Sequence, residues 1–156
     1  MKKKLIIFSV FFLLIDIIAK YLIDINFNVM ETKEIIHNFF SITKVYNYGA
    51  SWNILNGYRI ILIIITLIIL TILYFYQKQF VVNNRNIIAF SLLYGGIIGN
   101  LIDRIFRGYV IDFFDFYIFG YNYPVFNIAD ICIVFGVFLL IIATIKKEDL
   151  NENRSK

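Results

Sequence analysis

The sequence predicts an all-α membrane protein, a bundle of four transmembrane helices, on three observations. Four apolar runs of spanning length, 5–23, 60–76, 87–105 and 125–145, punctuate a chain of 156 residues. Hydrophobic residues make up 60% of the chain and aromatics 19%, more apolar side chain than a soluble domain of this size buries, so the bilayer must be its solvent. The carboxylates that break the apolar pattern, Asp16, Asp103, Asp112 and Asp130, fall toward one end of those spans. A carboxylate at a hydrocarbon boundary persists where it is paired, hydrated or useful.

The first run follows Lys2, Lys3 and Lys4, and this basic start imitates a secretory signal peptide. Asp16 and Lys20 interrupt its core and no small-x-small cleavage site follows, so it reads as a retained helix. The second run is almost purely Ile, Leu and Thr. Its β-branched content suggests strand, but an unbroken length near the roughly 20 residues a bilayer requires decides for helix. With no polar centre, it reads as scaffold. The third run turns polar at its far end, through Gly95, Gly96, Gly99, Asn100, Asp103 and Arg104; the fourth opens with Asn127 and Asp130 and is apolar thereafter. Helix three ends where helix four begins, so both polar ends share one side of the membrane.

Basic residues set the orientation. Lys2 to Lys4, then Lys78 and Arg85, then Lys146, Lys147, Arg154 and Lys156 occupy three short segments that alternating topology puts on one side, the cytoplasmic one. The longer connections, 24–59 and 106–124, hold Lys33, Lys44, Arg59 and Arg107 at lower density and face outward. Both termini are then cytoplasmic and the acids extracytoplasmic. In the first connection, Phe39 to Val45 alternates imperfectly and is bounded by Asn38 and by Asn47-Tyr48-Gly49, which reads as a strand before a turn. The second is aromatic-rich over Tyr109 to Tyr123, consistent with small β structure or aromatics lying at the interface. No repeat, linker or second domain interrupts the chain, and residues 1–156 read as a single membrane domain.

A net charge of +4 suggests nucleic acid in a soluble protein, but here the basic residues flank apolar runs and report topology. Cys132, the lone cysteine, lies in an apolar run and reads as a small buried hydrophobe; His37, the lone histidine, sits in a polar loop without a second histidine. Metal and Cys/His catalysis therefore find little support, and no cofactor is expected.

Asp16 and Lys20 stand four apart on one helical face, and a self-neutralising pair that helps the helix pack against its neighbours is a simpler reading than direct catalysis, one that leaves the pair able to hold the site in shape. Gly95 and Gly99 have the small-xxx-small spacing that lets helices approach closely. Arg104 either neutralises Asp103 locally or snorkels to phosphate headgroups. Asp112, in apolar surroundings, and Asp130, one turn into helix four, are the acids whose charged forms are disfavoured. Two carboxylates brought close in such a place cannot both ionise cheaply and tend to share a proton, which suits peptide hydrolysis, one activating water while the other hydrogen-bonds the scissile carbonyl. Spacing alone leaves that reading level with an ion path or a structural role. Asp115 reads as a solvated loop residue, and Asp24, Glu31 and Glu34 as ordinary exposed charges.

Taken in order, the motifs resemble those of the signal peptidase II family, the lipoprotein signal peptidases, membrane aspartyl peptidases of bacteria. The likeness is carried by Asp16-x-x-x-Lys20, Asn47-Tyr-Gly49-Ala50-Ser-Trp52, Gly95-Gly96-x-x-Gly99-Asn100-x-x-Asp103-Arg104, Val110-Ile-Asp112-Phe113 and Phe126-Asn127-x-Ala129-Asp130. Ser51 stands where alanine is commoner, and Ile17 to Ala19 where polar residues are frequent. The resemblance implies four transmembrane helices with a small extracytoplasmic β-cradle, a catalytic pair at Asp112 and Asp130, and supporting or substrate-binding roles for Asp16, Lys20, Asn47, Gly99, Asn100, Asp103, Arg104, Asn127 and Ala129. It implies as substrate a prolipoprotein with a diacylglyceryl-modified cysteine, cut just before that cysteine in the bacterial cell membrane, with membrane lipids and globomycin-like peptide inhibitors as further partners and no nucleic acid. Two rivals stand beside it. A proton-coupled transporter would need a polar path, but the lower parts of all four helices are apolar; a noncatalytic assembly partner would explain the glycines and leave the acids without a task.

Overall fold

The computed structural model describes residues 2–50 and 54–146, in the order α1 (Lys2–Asn26), β1 (Thr32–Ile36), β2 (Phe40–Asn47), α2 (Arg59–Tyr76), α3 (Asn84–Phe106), β3 (Val110–Ile118), β4 (Tyr121–Asn122) and α4 (Ile128–Ile145). A single 3₁₀ turn, Gln77–Gln79, extends α2. At 1.5 Å per residue the shortest helices reach about 27 Å, so all four have the length and composition to cross a membrane. The expected segments are all present, with ends moved by one to three residues. Alongside them lies a four-stranded antiparallel sheet in the order β1-β2-β3-β4, for which the label all-α is too loose.

Helix α3 is the centre of the bundle: 72% of its apolar window lies inside the protein, against 11% for α1 and for α2. Its glycines explain this. A Cβ on Gly95 would meet Phe12 Cβ at 2.8 Å and Ser9 O at 3.0 Å on α1, whereas one on Gly96 would strike the Ala129 carbonyl and lie 3.2 Å from Cys132 Cβ on α4. At Gly99 it would meet Asp16 Oδ2 at 2.5 Å and Ala129 Cβ at 3.7 Å. The small-residue stripe thus serves two neighbours at once, which lets the backbones of α1 and α4 close on α3 from both sides. Helix α2 is the outer member and buries only Leu62 and Leu73. Its threonines return their hydroxyls to their own helix, Thr66 to Leu62 O at 2.7 Å and Thr71 to Leu67 O at 2.9 Å, so neither hydroxyl is left unpaired in lipid.

Helix ends show the alternation that the sequence implies. Ser91, early in α3, donates to the carbonyl of Leu5, while the far ends of α1 and α3 meet through Lys20 and Asn100 at 2.9 Å. Helix α4 starts three residues later than expected. Asn127 is its cap, accepting from the Asp130 amide at 3.0 Å while Asp130 accepts from the Asn127 amide at 3.2 Å, and the chain ahead of it is extended, with Phe126 bridged to Phe114. Asp130 is therefore a first-turn residue at the helix start, and not one turn inside.

The strand expected at 39–45 is β2, and the aromatic segment after helix three is β3 and β4. Between Ile42 and Val45 the register of β2 against β3 slips by one residue, a bulge at Thr43 and Lys44. The bulge turns both side chains inward. Lys44 donates to the Asp24 and Phe27 carbonyls, each at 2.9 Å, and pairs with the Asp24 carboxylate at 2.8 Å, capping the end of α1. Thr43 donates to Asp115 at 2.6 Å. Two expectations are corrected here: Asp115 is a paired strand residue rather than a solvated loop residue, and Asp24 is a half-buried anchor of the sheet, not an ordinary exposed charge. Glu31 and Glu34 are exposed as expected. Phe40, Phe116 and Phe126 stack at 4.6 and 5.8 Å between centroids, which packs the sheet against the segment leading into α4.

Candidate active site

Each singled-out acid arrives at the site on a different element: Asp16 on α1, Asp103 on α3, Asp112 on β3 and Asp130 on α4. Two asparagines knit them together. Asn127 Nδ2 donates to Asp112 Oδ1 at 2.6 Å and to Asn100 Oδ1 at 3.1 Å, and Asn100 Nδ2 donates to Asp130 Oδ1 at 2.9 Å. Since the capping box also binds Asn127 to Asp130, one residue touches both Asp112 and Asp130. Asn47, at the end of β2, donates to the other oxygen of Asp112 at 2.9 Å, its own carbonyl oxygen held by the Gly49 amide.

Lys20 is 1% exposed and its three donors find three acceptors: Asn100 Oδ1 at 2.9 Å, Asp16 Oδ2 at 2.7 Å and Asp103 Oδ2 at 2.9 Å. The expected Asp16–Lys20 pair exists, but it is not self-contained. Asp16 also accepts from the Ala129 amide at 2.9 Å, at the start of α4, which explains why Gly99 must be glycine: a methyl group there would push Asp16 off both partners. The buried ammonium is thus shared between two carboxylates and the amide that orients Asp130. A buried charge is tolerable only when its neighbours are this complete.

The charges of Asp130, Asp112 and Asp103 all act on Arg104, while its hydrogen bonds go elsewhere. Asp103 is neutralised by Lys20 and by Arg107 at 3.3 Å, while Arg104 reaches back to the Gly49 carbonyl at 3.0 Å and so ties the segment after β2 to the end of α3. Arg59 closes that end, donating to the Arg104 and Ile105 carbonyls at 2.6 Å each. From sequence, Lys44, Arg59 and Arg107 read only as outer-loop charges; a lysine inside an alternating strand is the one signal that Lys44 is turned inward. Ser51 and Trp52 of the outer-loop motif, with Lys147, Arg154 and Lys156 of the basic tail, lie outside the described residues. His37 is exposed beside Glu34, at 3.1 Å, and Cys132 is buried on α4 against Gly96 of α3.

Burial, and next the neighbouring Asp130 carboxylate, push Asp112 up to about 7, against the opposing pull of the Asn47 and Asn127 amides. Asp112 is 3% exposed, whereas Asp130 is only partly buried. Asp112 therefore keeps its proton to a higher pH than an exposed carboxyl does.

Residues 8–146 match the family described as Signal peptidase (SPase) II. The lipoprotein signal peptidase of Staphylococcus aureus strain JH9 is 44% identical over 142 residues, spanning 90% of this chain and 87% of that one, and the counterpart from strain Newman matches equally. Among solved structures, a bacterial membrane enzyme at 2.3 Å resolution superposes with a TM-score of 0.79 at 37% identity, over 97% of this chain and 91% of that one. A second, at 1.9 Å resolution, gives 0.77 at 39% identity over 91% and 92%.

Proposed function

The chain belongs to the signal peptidase II family, and from that premise we propose that it is a membrane aspartyl endopeptidase, a single domain that removes the signal peptide from diacylglyceryl-modified prolipoproteins by cutting just before the lipidated cysteine. The observation that carries the reading is the asparagine-linked chain Asp112–Asn127–Asn100–Asp130, which brings two carboxylates from different elements to one place. The ionised member of the pair takes a proton from water, whose oxygen attacks the scissile carbonyl. The protonated member hydrogen-bonds that carbonyl and later gives its proton to the leaving amine. Asn47 and Asn127 hold Asp112; Asn100, held by Lys20, aims Asp130; Asp16, Asp103, Gly99 and Ala129 keep Lys20 and the start of α4 in register.

The membrane supplies the rest. The acids lie at the end of the bundle that bears the sheet, which the basic flanks assign to the extracytoplasmic face of the bacterial cell membrane, with both termini in the cytoplasm. There the diacylglyceryl group holds the scissile bond at the depth of the pair, and confinement of enzyme and substrate to one bilayer raises their effective concentration. Membrane lipids are the surrounding solvent, and a globomycin-like peptide would compete with the precursor for the same acids. Purified protein in detergent should cleave a diacylglyceryl-modified precursor peptide, and Asp112→Asn and Asp130→Asn should each abolish turnover while the helical circular dichroism stays intact. Normal turnover by either variant would remove that residue from the reaction.

A further inference from the structure

Arg107 plays no part in the mechanism just described, yet it is placed to govern it. It is the residue that ends α3, its amide bonded to the Asp103 carbonyl at 2.8 Å and its guanidinium 3.3 Å from Asp103 Oδ1, on the side of that carboxylate away from Lys20. Its side chain is 29% exposed. Together with Ile17, Lys20, Ile102, Asp103 and Phe106 it lines a cavity of about 190 Å³ between α1 and α3, whose polar wall is the buried Lys20–Asp103 pair. Arg107 is the outermost charge on that wall.

The charges at this end of the bundle can be counted from every element that packs there. Helix α1 contributes Asp16, Lys20 and Asp24; β2, Lys44; α2, Arg59; α3 and its end, Asp103, Arg104 and Arg107; β3, Asp112 and Asp115; and α4, Asp130. The segment through β1, at the edge of the sheet, adds Glu31, Lys33, Glu34 and His37. Lys20 and Arg107 are the two cations within ion-pair distance of Asp103 among the described residues, so removing Arg107 leaves the charge of Asp103 to Lys20 alone.

We propose that Arg107 is a positioning residue of the acid pair: by neutralising the outer oxygen of Asp103 it leaves the Lys20 ammonium free to hold Asn100, the amide that orients Asp130 and Asn127. The argument rests on the assignment of Asp112 and Asp130 as the catalytic acids. Without Arg107, Asp103 draws Lys20 away from Asn100 and the added negative charge makes Asp112 harder to ionise.

The test compares Arg107→Gln and Arg107→Met with Arg107→Lys in the full-length protein in lipid nanodiscs. Asp112 is titrated through its protonated-carboxyl infrared band, identified by its loss in Asp112→Asn. Both neutral variants should shift the Asp112 midpoint upward by about half a pH unit, and Arg107→Lys should restore it. With a diacylglyceryl-modified precursor, the same shift should lower kcat about threefold at the acid limb of the pH–rate profile with KM unchanged. A midpoint unmoved in both neutral variants, or moved equally by lysine, would overturn the proposal. Absence of turnover by the wild-type protein would instead count against the proposed function, while the infrared midpoints would still decide the role of Arg107.

Discussion

Asp112→Asn separates chemistry from folding, because burial of the acid proposed for turnover sets a pH-dependent cost in stability. Asp112 ionises near 3.8 when exposed and at about 7 in the folded protein. The folded state therefore binds its proton more tightly than the unfolded state does. Stability on this account is complete below about pH 4, falls as pH rises from there to about 7, and stays low above it. A displacement of roughly three pH units, at 1.36 kcal/mol each, sets the loss at about 4 kcal/mol. Replacement by asparagine removes that titration but turns an NH₂ toward one of the donors Asn47 and Asn127, forfeiting a hydrogen bond to a charged group worth about 1.5–3 kcal/mol. At pH 8 the variant should thus be more stable than the wild type by about 1–2.5 kcal/mol, and at pH 4 less stable. Thermal unfolding in detergent across pH 4–8, read as the difference between the two proteins, measures this directly. A wild type that gains stability relative to the variant as pH rises would refute the assignment of a buried, proton-holding Asp112.

Other parts of the structure carry their own expectations. Gly96→Ala should cost about 1–3 kcal/mol, since the methyl group meets the Ala129 backbone and not a side chain that can turn aside, and unfolding at the wild-type temperature would contradict the packing of α3 on α4. Lys20→Met leaves Asp16 and Asp103 buried without their shared cation and should destabilise by about 3–5 kcal/mol, with partial recovery on adding Asp16→Asn; a silent substitution would show that the cluster is hydrated. Lys44→Met unfastens the sheet from α1 and should raise amide exchange in β1 and β2 while leaving α3 and α4 protected, and uniform protection would refute the latch. Asn100→Ala removes the one side chain that joins Lys20, Asn127 and Asp130, and turnover should fall at least about 100-fold with the helical signal intact; wild-type kcat would deny it an orienting role.

The sequence by itself determined the four helices, the strand before Asn47 and the gathering of acids at one end, because each follows from local properties: apolar length, alternation, and the side on which a polar run falls. It did not determine that α4 begins at Ile128, since the choice between an Asn127 inside the helix and one capping it depends on the Asp112 carboxylate and the Phe114–Phe126 bridge. Nor did it show that Lys20 divides its charge between Asp16 and Asp103, that Arg104 turns to Gly49, or that a bulge sends Lys44 into the end of α1. Apart from Asp16, four positions from Lys20, those partners lie 17 to 83 positions apart, and Lys20 meets Asp103 where Gly95 and Gly99 let α1 close on α3. The choice among cations for a given carboxylate is made by distance inside a medium that cannot solvate the losers, and distance of that kind belongs to the tertiary structure alone.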